Sequence, residues 1–170
     1  MDRYKILRRA ILLCCHFARN LAYYQAGWEG KELKKTSRPF WRTLNGNFLD
    51  ICVLEWCKLF GNDKDIYHWK KIMNNPTQFK NEMFQELNIK QTDLETAWNS
   101  IKSYRDEFVA HLEDKETMRI PTFDLPLAAV IFYHKKIIDS SPDKNFVGLP
   151  LDIQVFYDAC YSEAIDQYKS

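Results

Sequence analysis

The chain has 170 residues, of which 46% are hydrophobic and 28% are charged, and this composition excludes disorder as the dominant state. A chain of this length forms one domain, here residues 1–170, around a single core. The net charge of +1 excludes attraction to nucleic acid through overall charge, so any such binding must depend on local basic residues.

Apolar residues recur at helical spacing along nearly the whole chain, and no segment alternates for long enough to predict a strand. With only 5 glycines and 6 prolines, the helices should be long and few. The pattern predicts an all-α fold, a bundle of four to five main helices with short accessory helices. The predicted helices cover about residues 3–25, 39–60, 65–73, 76–87, 92–112, 125–139 and 151–168.

Local signals predict where several of these helices begin and end. Gly27 and Gly30 should end the first helix, and Gly46 inside the second helix would allow another helix to pack closely against it. The spacing of Ile11, Cys14 and Ala18 predicts one buried face of the first helix, and Asn75-Pro76 predicts the start of the helix over 76–87, with proline at its first position. Thr92 followed by Glu95 three residues later predicts a capping box at the start of the helix over 92–112.

The five cysteines favour a reducing compartment. Their spacing matches neither a zinc site nor a redox pair, and all five lie in apolar stretches, where a free thiol behaves as a small hydrophobic group. We therefore expect a cytoplasmic protein without disulfides. The apolar run after Arg8 is interrupted by His16 and Arg19, so we expect no signal peptide, and no stretch is long enough to predict a membrane span.

The helix over 92–112 carries two polar residues at the edges of its apolar face. With Phe108 at the centre of that face, Arg105 and His111 lie roughly 60° to either side, and roughly 9 Å apart along the axis. A guanidinium without a partner is costly at such a position. In one interpretation Arg105 pairs with a carboxylate such as Asp106, Glu107 or Glu113, and His111 bonds the last helix carbonyls. In the other, both side chains face a polar cleft, where arginine holds a phosphate and histidine moves protons.

The segment Arg-Asp-Glu-Phe-Val-Ala-His at residues 105–111 resembles the signature of HEPN (higher eukaryotes and prokaryotes nucleotide-binding) domains. That signature is an arginine, usually followed by a polar residue, and then a histidine after four to six intervening positions. Arg9 and His16 match the same spacing, but only apolar residues separate them, so we interpret that stretch as core. Most similar are the HEPN-like domains of bacterial abortive-infection proteins of the U type, through the acidic turn 113–114, the aromatic second helix and the pair 68–69.

The resemblance implies a function as well as a fold. Many HEPN domains are metal-independent endoribonucleases that act as toxins in phage defence or toxin–antitoxin systems, with the site at a homodimer interface. The resemblance implies that His111 acts as general base or acid and that Arg105 stabilises charge on the phosphoryl oxygens. It also implies that Asp106 orients the side chain of Arg105 or of His111. RNA is then the substrate, an antitoxin protein is a candidate partner, and no metal or other cofactor is expected. Glu113 stands where some HEPN toxins carry a tyrosine that a partner modifies, so that regulation is not predicted.

Other residues have a structural and a functional interpretation. The remaining histidines, His16, His68 and His134, lack a second ligand at helical spacing and are predicted to be structural. Asp50 and Glu55 favour the surface of the second helix, although either could contribute to the site. Four tryptophans could stack on bases, but their helical spacing predicts that they lie in the core; they are Trp41, Trp56, Trp69 and Trp98. The basic clusters at 31–42 and 70–71 are predicted to lie on a solvated surface.

Two further functions remain open at this point. The chain could be a non-catalytic helical module that uses a HEPN-like scaffold to bind a nucleotide or a protein partner. It could also be an unrelated helical bundle, in which Arg105 pairs with a carboxylate for structural reasons only.

Overall fold

The computed structural model describes residues 2–28, 33, 38–110, 119–141 and 146–169, and these residues form an all-helical fold with no strand. The predicted all-α class is therefore confirmed. None of the described helices is long and apolar enough to cross a membrane. The α-helices are α1 Arg3–Trp28, α2 Pro39–Trp56, α3 Trp69–Ile72, α4 Pro76–Glu86, α5 Gln91–Tyr104, α6 Asp124–Asp139 and α7 Ile153–Lys169.

Two segments are π-helical, a form in which backbone hydrogen bonds join residues five apart. The first, π1, spans Cys57–Gly61 and continues α2, and the second, π2, spans Arg105–Ala110 and continues α5. The helices predicted over about 39–60 and 92–112 are confirmed within the described residues, but the change to π-helical geometry was not predicted. Apolar spacing does not distinguish one wide turn from an ordinary turn, because both keep the same residues near the core.

The central element is α1, which packs against α2 and α7 along its length and also against α6. Its apolar residues recur at steps of three and four, so most residues in the C-terminal two thirds of the helix are buried. Fully buried members include Ala10, Ile11, Cys14, Phe17, Ala18 and Leu21. A smaller apolar cluster joins the end of α1 to α7 through Ala26, Leu33, Ala164 and Tyr168.

The capping predictions were partly wrong. The predicted start of α4 is confirmed, because the side chain of Asn75 accepts a hydrogen bond from the N–H of Gln78. The capping box at Thr92 and Glu95 does not form. Instead α5 begins one residue earlier, and the backbone N–H of Lys90 donates to Asp93 Oδ2 at 2.7 Å. The residue before the helix is therefore Lys90, and Asp93 accepts its backbone N–H. Thr92 was predicted to precede the helix but lies inside it.

The short helix predicted over 65–73 is confined to α3, Trp69–Ile72. Two side chains just before this helix accept hydrogen bonds from backbone N–H groups. Asp65 Oδ1 accepts a hydrogen bond from the N–H of Tyr67 at 2.9 Å, and His68 Nδ1 accepts one from the N–H of Lys70. The Asp65 acceptor competes with helix formation before α3, because it satisfies a backbone donor locally, whereas the His68 acceptor caps the start of α3.

The predictions for Gly27 and Gly46 were also wrong, and Gly30 lies outside the described residues. Gly27 does not end the first helix but lies inside α1, which continues to Trp28. A Cβ atom at Gly27 would lie 2.5 Å from Asn45 Nδ2, so this glycine is where α2 approaches closely. A Cβ atom at Gly46 would meet no described atom within 4 Å. Close packing therefore depends on the glycine of α1 rather than that of α2.

Candidate active site around Arg105

Arg105 is the first residue of π2 and follows directly after α5, which ends at Tyr104. The apolar face continues into π2, where the ring of Phe108 lies 5.6 Å from that of Tyr104. The predicted angles around Phe108 assumed 100° per residue, and this value does not hold beyond Tyr104. π-Helical turns are rare and occur frequently at functional sites.

The guanidinium of Arg105 forms an ion pair with the adjacent Asp106. Nε and Nη2 both approach Oδ1, at 2.8 and 2.6 Å. Neighbouring residues on a regular helix do not face each other, so the arginine side chain must fold back to make this contact. The side chains of Arg105 and Asp106 are 26% and 45% exposed, so the pair lies at the surface. A guanidinium has five N–H donors, and the pair leaves others for a ligand.

Cys57, the first residue of π1, lies close enough to Arg105 for each group to shift the pKa of the other. Burial raises the pKa of the Cys57 thiol, and the opposing effect of Arg105 is smaller. Cys57 is therefore a protonated thiol and a weak nucleophile at neutral pH. Burial lowers the pKa of Arg105, but hydrogen bonds to Asp106 and Cys57 outweigh it and the net shift is upward. A permanent positive charge is thus held between two π-helical segments.

Asp50 and Tyr104 form a second polar pair beside Arg105. The hydroxyl of Tyr104 donates to Asp50 Oδ1 at 3.0 Å. Burial raises the pKa of Asp50, although the hydrogen bond from Tyr104 opposes this shift. Burial and the nearby charge of Asp50 also raise the pKa of Tyr104. Asp50 is thus half-buried against the last residue of α5, and a contribution of Asp50 to the site stays a prediction.

Glu55, the other acidic residue considered on α2, faces away from this pair. Its charge acts on Cys14 and Cys52, the latter fully buried beside α1. Glu55 Oε1 lies 3.3 Å from Lys58 Nζ, and Oε2 is buried with no hydrogen-bond partner among the described residues. Glu55 is thus buried, and the prediction that it lies on the surface of the second helix is wrong.

His111 and Glu113 lie outside the described residues, so the geometry between Arg105 and His111 remains a prediction. The competing pair, Arg9 and His16, is described. Arg9 is exposed on α1 and donates a hydrogen bond to the hydroxyl of Tyr67 at 3.2 Å, whereas His16 is half-buried.

The other two histidines have structural contacts. His68 is buried, with Nε2 3.1 Å from the carbonyl of Phe60 and Nδ1 accepting from the backbone of Lys70. Burial lowers the pKa of His68, and it lowers that of His134 to about 4. Both are therefore neutral at pH 7. Among the described residues, no group of three histidine, cysteine or carboxylate side chains is arranged to hold a metal ion.

Two features of this site were not predicted from the sequence. One is the contact between Arg105 and Cys57, which are 48 positions apart (105 minus 57) and meet only through packing of α5 against π1. The other is the exposure of Ile51 and Leu54, at 38% and 40%, on the same helix as Asp50. A sequence signal existed only for the second feature, since both residues lie off the main apolar stripe of α2.

Comparison with protein-family models, with curated proteins and with solved structures finds no match for this chain.

Proposed function

We propose that the chain is a metal-independent endoribonuclease of a phage-defence or toxin–antitoxin type, which cleaves RNA at a composite site between two copies of the chain. The observation that carries this proposal is Arg105: a permanently charged guanidinium, partly exposed, positioned by Asp106 and Cys57 at the start of a π-helical turn. The resemblance of residues 105–111 to the HEPN signature supports it.

The proposed reaction is an internal transesterification. The ribose 2′-oxygen attacks the adjacent phosphorus, and the bond from phosphorus to the 5′-oxygen of the next nucleotide breaks. One His111 removes the 2′-hydroxyl proton, and a second, from the other copy, gives a proton to the leaving 5′-oxygen. Arg105 stabilises the charge that develops on the phosphoryl oxygens. The products are a 2′,3′-cyclic phosphate and a 5′-hydroxyl, and no metal takes part.

The exposed apolar residues beside the site support the homodimer. Ile51 and Leu54 project from α2, and Asp50, one residue before Ile51, bonds Tyr104 next to Arg105. Exposed apolar side chains of this kind are available for contact with a second copy of the chain. In the proposed homodimer the two Arg105 side chains face each other across a two-fold axis.

The second candidate function is a non-catalytic module that binds a nucleotide or a protein partner. One observation favours it: Arg105 already has a carboxylate partner, Asp106, within a single copy of the chain. An arginine whose charge is compensated in this way needs no phosphate to explain its position.

Cleavage of RNA in the presence of EDTA distinguishes the two functions. We expect the wild type to produce 2′,3′-cyclic phosphate ends, Arg105→Ala to lower the rate by about 10²- to 10³-fold, and His111→Ala to lower it by about 10²- to 10⁴-fold. Arg19→Ala is the matched control, because Arg19 is an exposed arginine on α1. Equal cleavage by wild type and His111→Ala would refute the catalytic proposal, and RNA binding without cleavage would favour the second candidate.

A further inference from the structure

A cavity of about 210 Å³ lies at the corner where α2 and π1 meet α3, α4 and α5. Its wall is largely aromatic and includes Trp69, Phe84 and Trp98. Trp69 is buried, whereas Phe84 and Trp98 are partly exposed. The indole N–H of Trp98 donates to the carbonyl of Gly61 at 2.9 Å, which holds this ring against π1. The cavity therefore has fixed aromatic walls and an open side.

Lysine side chains surround these rings. Lys70 Nζ lies 5.7 Å from the ring centre of Trp69, Lys80 Nζ 5.4 Å from that of Phe84, and Lys102 Nζ 5.1 Å from that of Trp98. Each distance is within the range of a cation–π contact. Lys70 and Lys80 also line the cavity itself. The combination of aromatic faces and mobile ammonium groups suits a ligand that is both planar and anionic.

The acidic residues nearby only partly offset these cations. Glu95 lines the cavity, and its Oε1 accepts a hydrogen bond from Gln91 at 2.6 Å. Asp63 lies 3.8 Å from Lys70, but both side chains are at least half exposed, so this pair is weak and readily exchanged. The cavity lining itself carries two lysines, Lys70 and Lys80, against one carboxylate, Glu95, so it remains net positive.

We propose that this cavity binds the base of one nucleotide, whose phosphate contacts Lys70 and Lys80. Its volume is below the range of about 300 Å³ and upward that is typical of sites for larger ligands, so one base is favoured over a dinucleotide.

The nucleotide can come from two sources, a free nucleoside monophosphate or a residue of single-stranded RNA. Trp98 and Arg105 are seven residues apart on α5 and π2, or about 10 Å along the axis. A strand bound at Arg105 would therefore pass near the cavity. In that case the cavity is a substrate subsite and rests on the proposed ribonuclease function; with a free nucleotide it does not.

Binding measurements with non-cleavable ligands test the cavity separately from catalysis. The ligands are a fluorescein-labelled 2′-O-methyl RNA, an abasic strand of the same length, and adenosine and uridine 5′-monophosphates. The variants are Phe84→Leu, which removes one aromatic wall, and the double variant Lys70→Ala/Lys80→Ala. Lys5→Ala/Lys169→Ala is the matched control, since both of these lysines are exposed and lie outside the cavity. Circular dichroism checks that each variant is folded.

We expect each cavity variant to weaken binding of the 2′-O-methyl RNA by about tenfold, because Phe84→Leu removes a stacking surface for the base and Lys70→Ala/Lys80→Ala removes the phosphate contacts. The abasic strand should bind at least tenfold more weakly than the RNA, and the control variant should bind like wild type. Weaker binding of the monophosphates as well would identify the free nucleotide as a ligand, and an effect on RNA alone would identify the strand.

Three results would overturn the inference: equal binding of the abasic strand and the RNA, unchanged binding in both cavity variants, or displacement of the RNA by an acidic aromatic peptide that binds more tightly than either nucleotide. The cleavage assay keeps the two proposals apart. Cavity-dependent binding without any cleavage would refute the ribonuclease function alone. Cleavage that depends on Arg105, with cavity variants indistinguishable from wild type, would refute the cavity alone.

Discussion

Replacing Gly27 with alanine should destabilise the protein, although the same change inside a helix normally stabilises it by about 1 kcal/mol. The new Cβ atom would lie 2.5 Å from Asn45 Nδ2 and 3.0 Å from the ring of Tyr168. Asn45 is 1% exposed and donates to the carbonyl of Tyr24 at 3.0 Å and to the hydroxyl of Tyr168 at 2.9 Å. It therefore has no room to move without losing these bonds.

The expected magnitude follows from these contacts. Loss of two buried hydrogen bonds costs about 2 kcal/mol, and overpacking adds about 1 kcal/mol. The gain in helix propensity offsets about 1 kcal/mol, so Gly27→Ala should lower the free energy of unfolding by about 2 kcal/mol. Gly46→Ala is the matched control, because no described atom lies within 4 Å of its Cβ position, and it should stabilise the protein by about 1 kcal/mol.

Equilibrium unfolding in urea measures both changes. The transition midpoint of Gly27→Ala should fall by about 1 M, and that of Gly46→Ala should rise by about half as much. If the steric contact with Asn45 is the cause, Gly27→Ala/Asn45→Ala will be more stable than the sum of the two single changes predicts. Stability of Gly27→Ala equal to or above that of wild type would refute the reasoning.

Three further predictions follow from burial and capping. The pKa of His134 is lowered by burial from 6.5 to about 4, so the unfolded chain binds a proton in this interval that the folded chain does not. The free energy of unfolding should therefore fall by up to about 3 kcal/mol as the pH falls from 6.5 towards 4. Urea unfolding at pH 7 and pH 5 should show a smaller loss of stability for His134→Gln than for wild type. An equal loss in the two proteins would contradict this assignment. Asp152 Oδ1 accepts from the N–H groups of Gln154 and Val155, so Asp152→Ala should cost about 1 kcal/mol in thermal or urea unfolding, whereas the exposed Asp166→Ala should cost little. All five cysteines are free and buried, so a disulfide reagent should label fewer than one thiol within minutes in buffer and all five in denaturant; rapid labelling of two or more in buffer would show that the packing of α1, α2 and α7 is wrong.

Local signals were sufficient for the order and type of the helices. The spacing of Ile11, Cys14 and Ala18 predicted the buried face of α1, and the pair Asn75-Pro76 predicted the start of α4, because each depends on residues within one or two turns. The same reasoning identified Arg105 and Asp106 as a candidate pair, since adjacent residues need no knowledge of the fold to be brought together. Local signals failed where two neighbouring side chains could each accept a hydrogen bond at the start of a helix, as Thr92 and Asp93 could at the start of α5.

Apolar periodicity in the sequence was enough to determine that this protein is an α-helical bundle, because the spacing of apolar residues decides which side of each helix leaves water. Tertiary structure alone decided that Gly27 rather than Gly46 is the point of close approach, that Cys57 contacts Arg105, and that aromatic residues of α3, α4 and α5 enclose a cavity. These features join residues that are tens of positions apart, and their distances depend on how whole helices pack against one another.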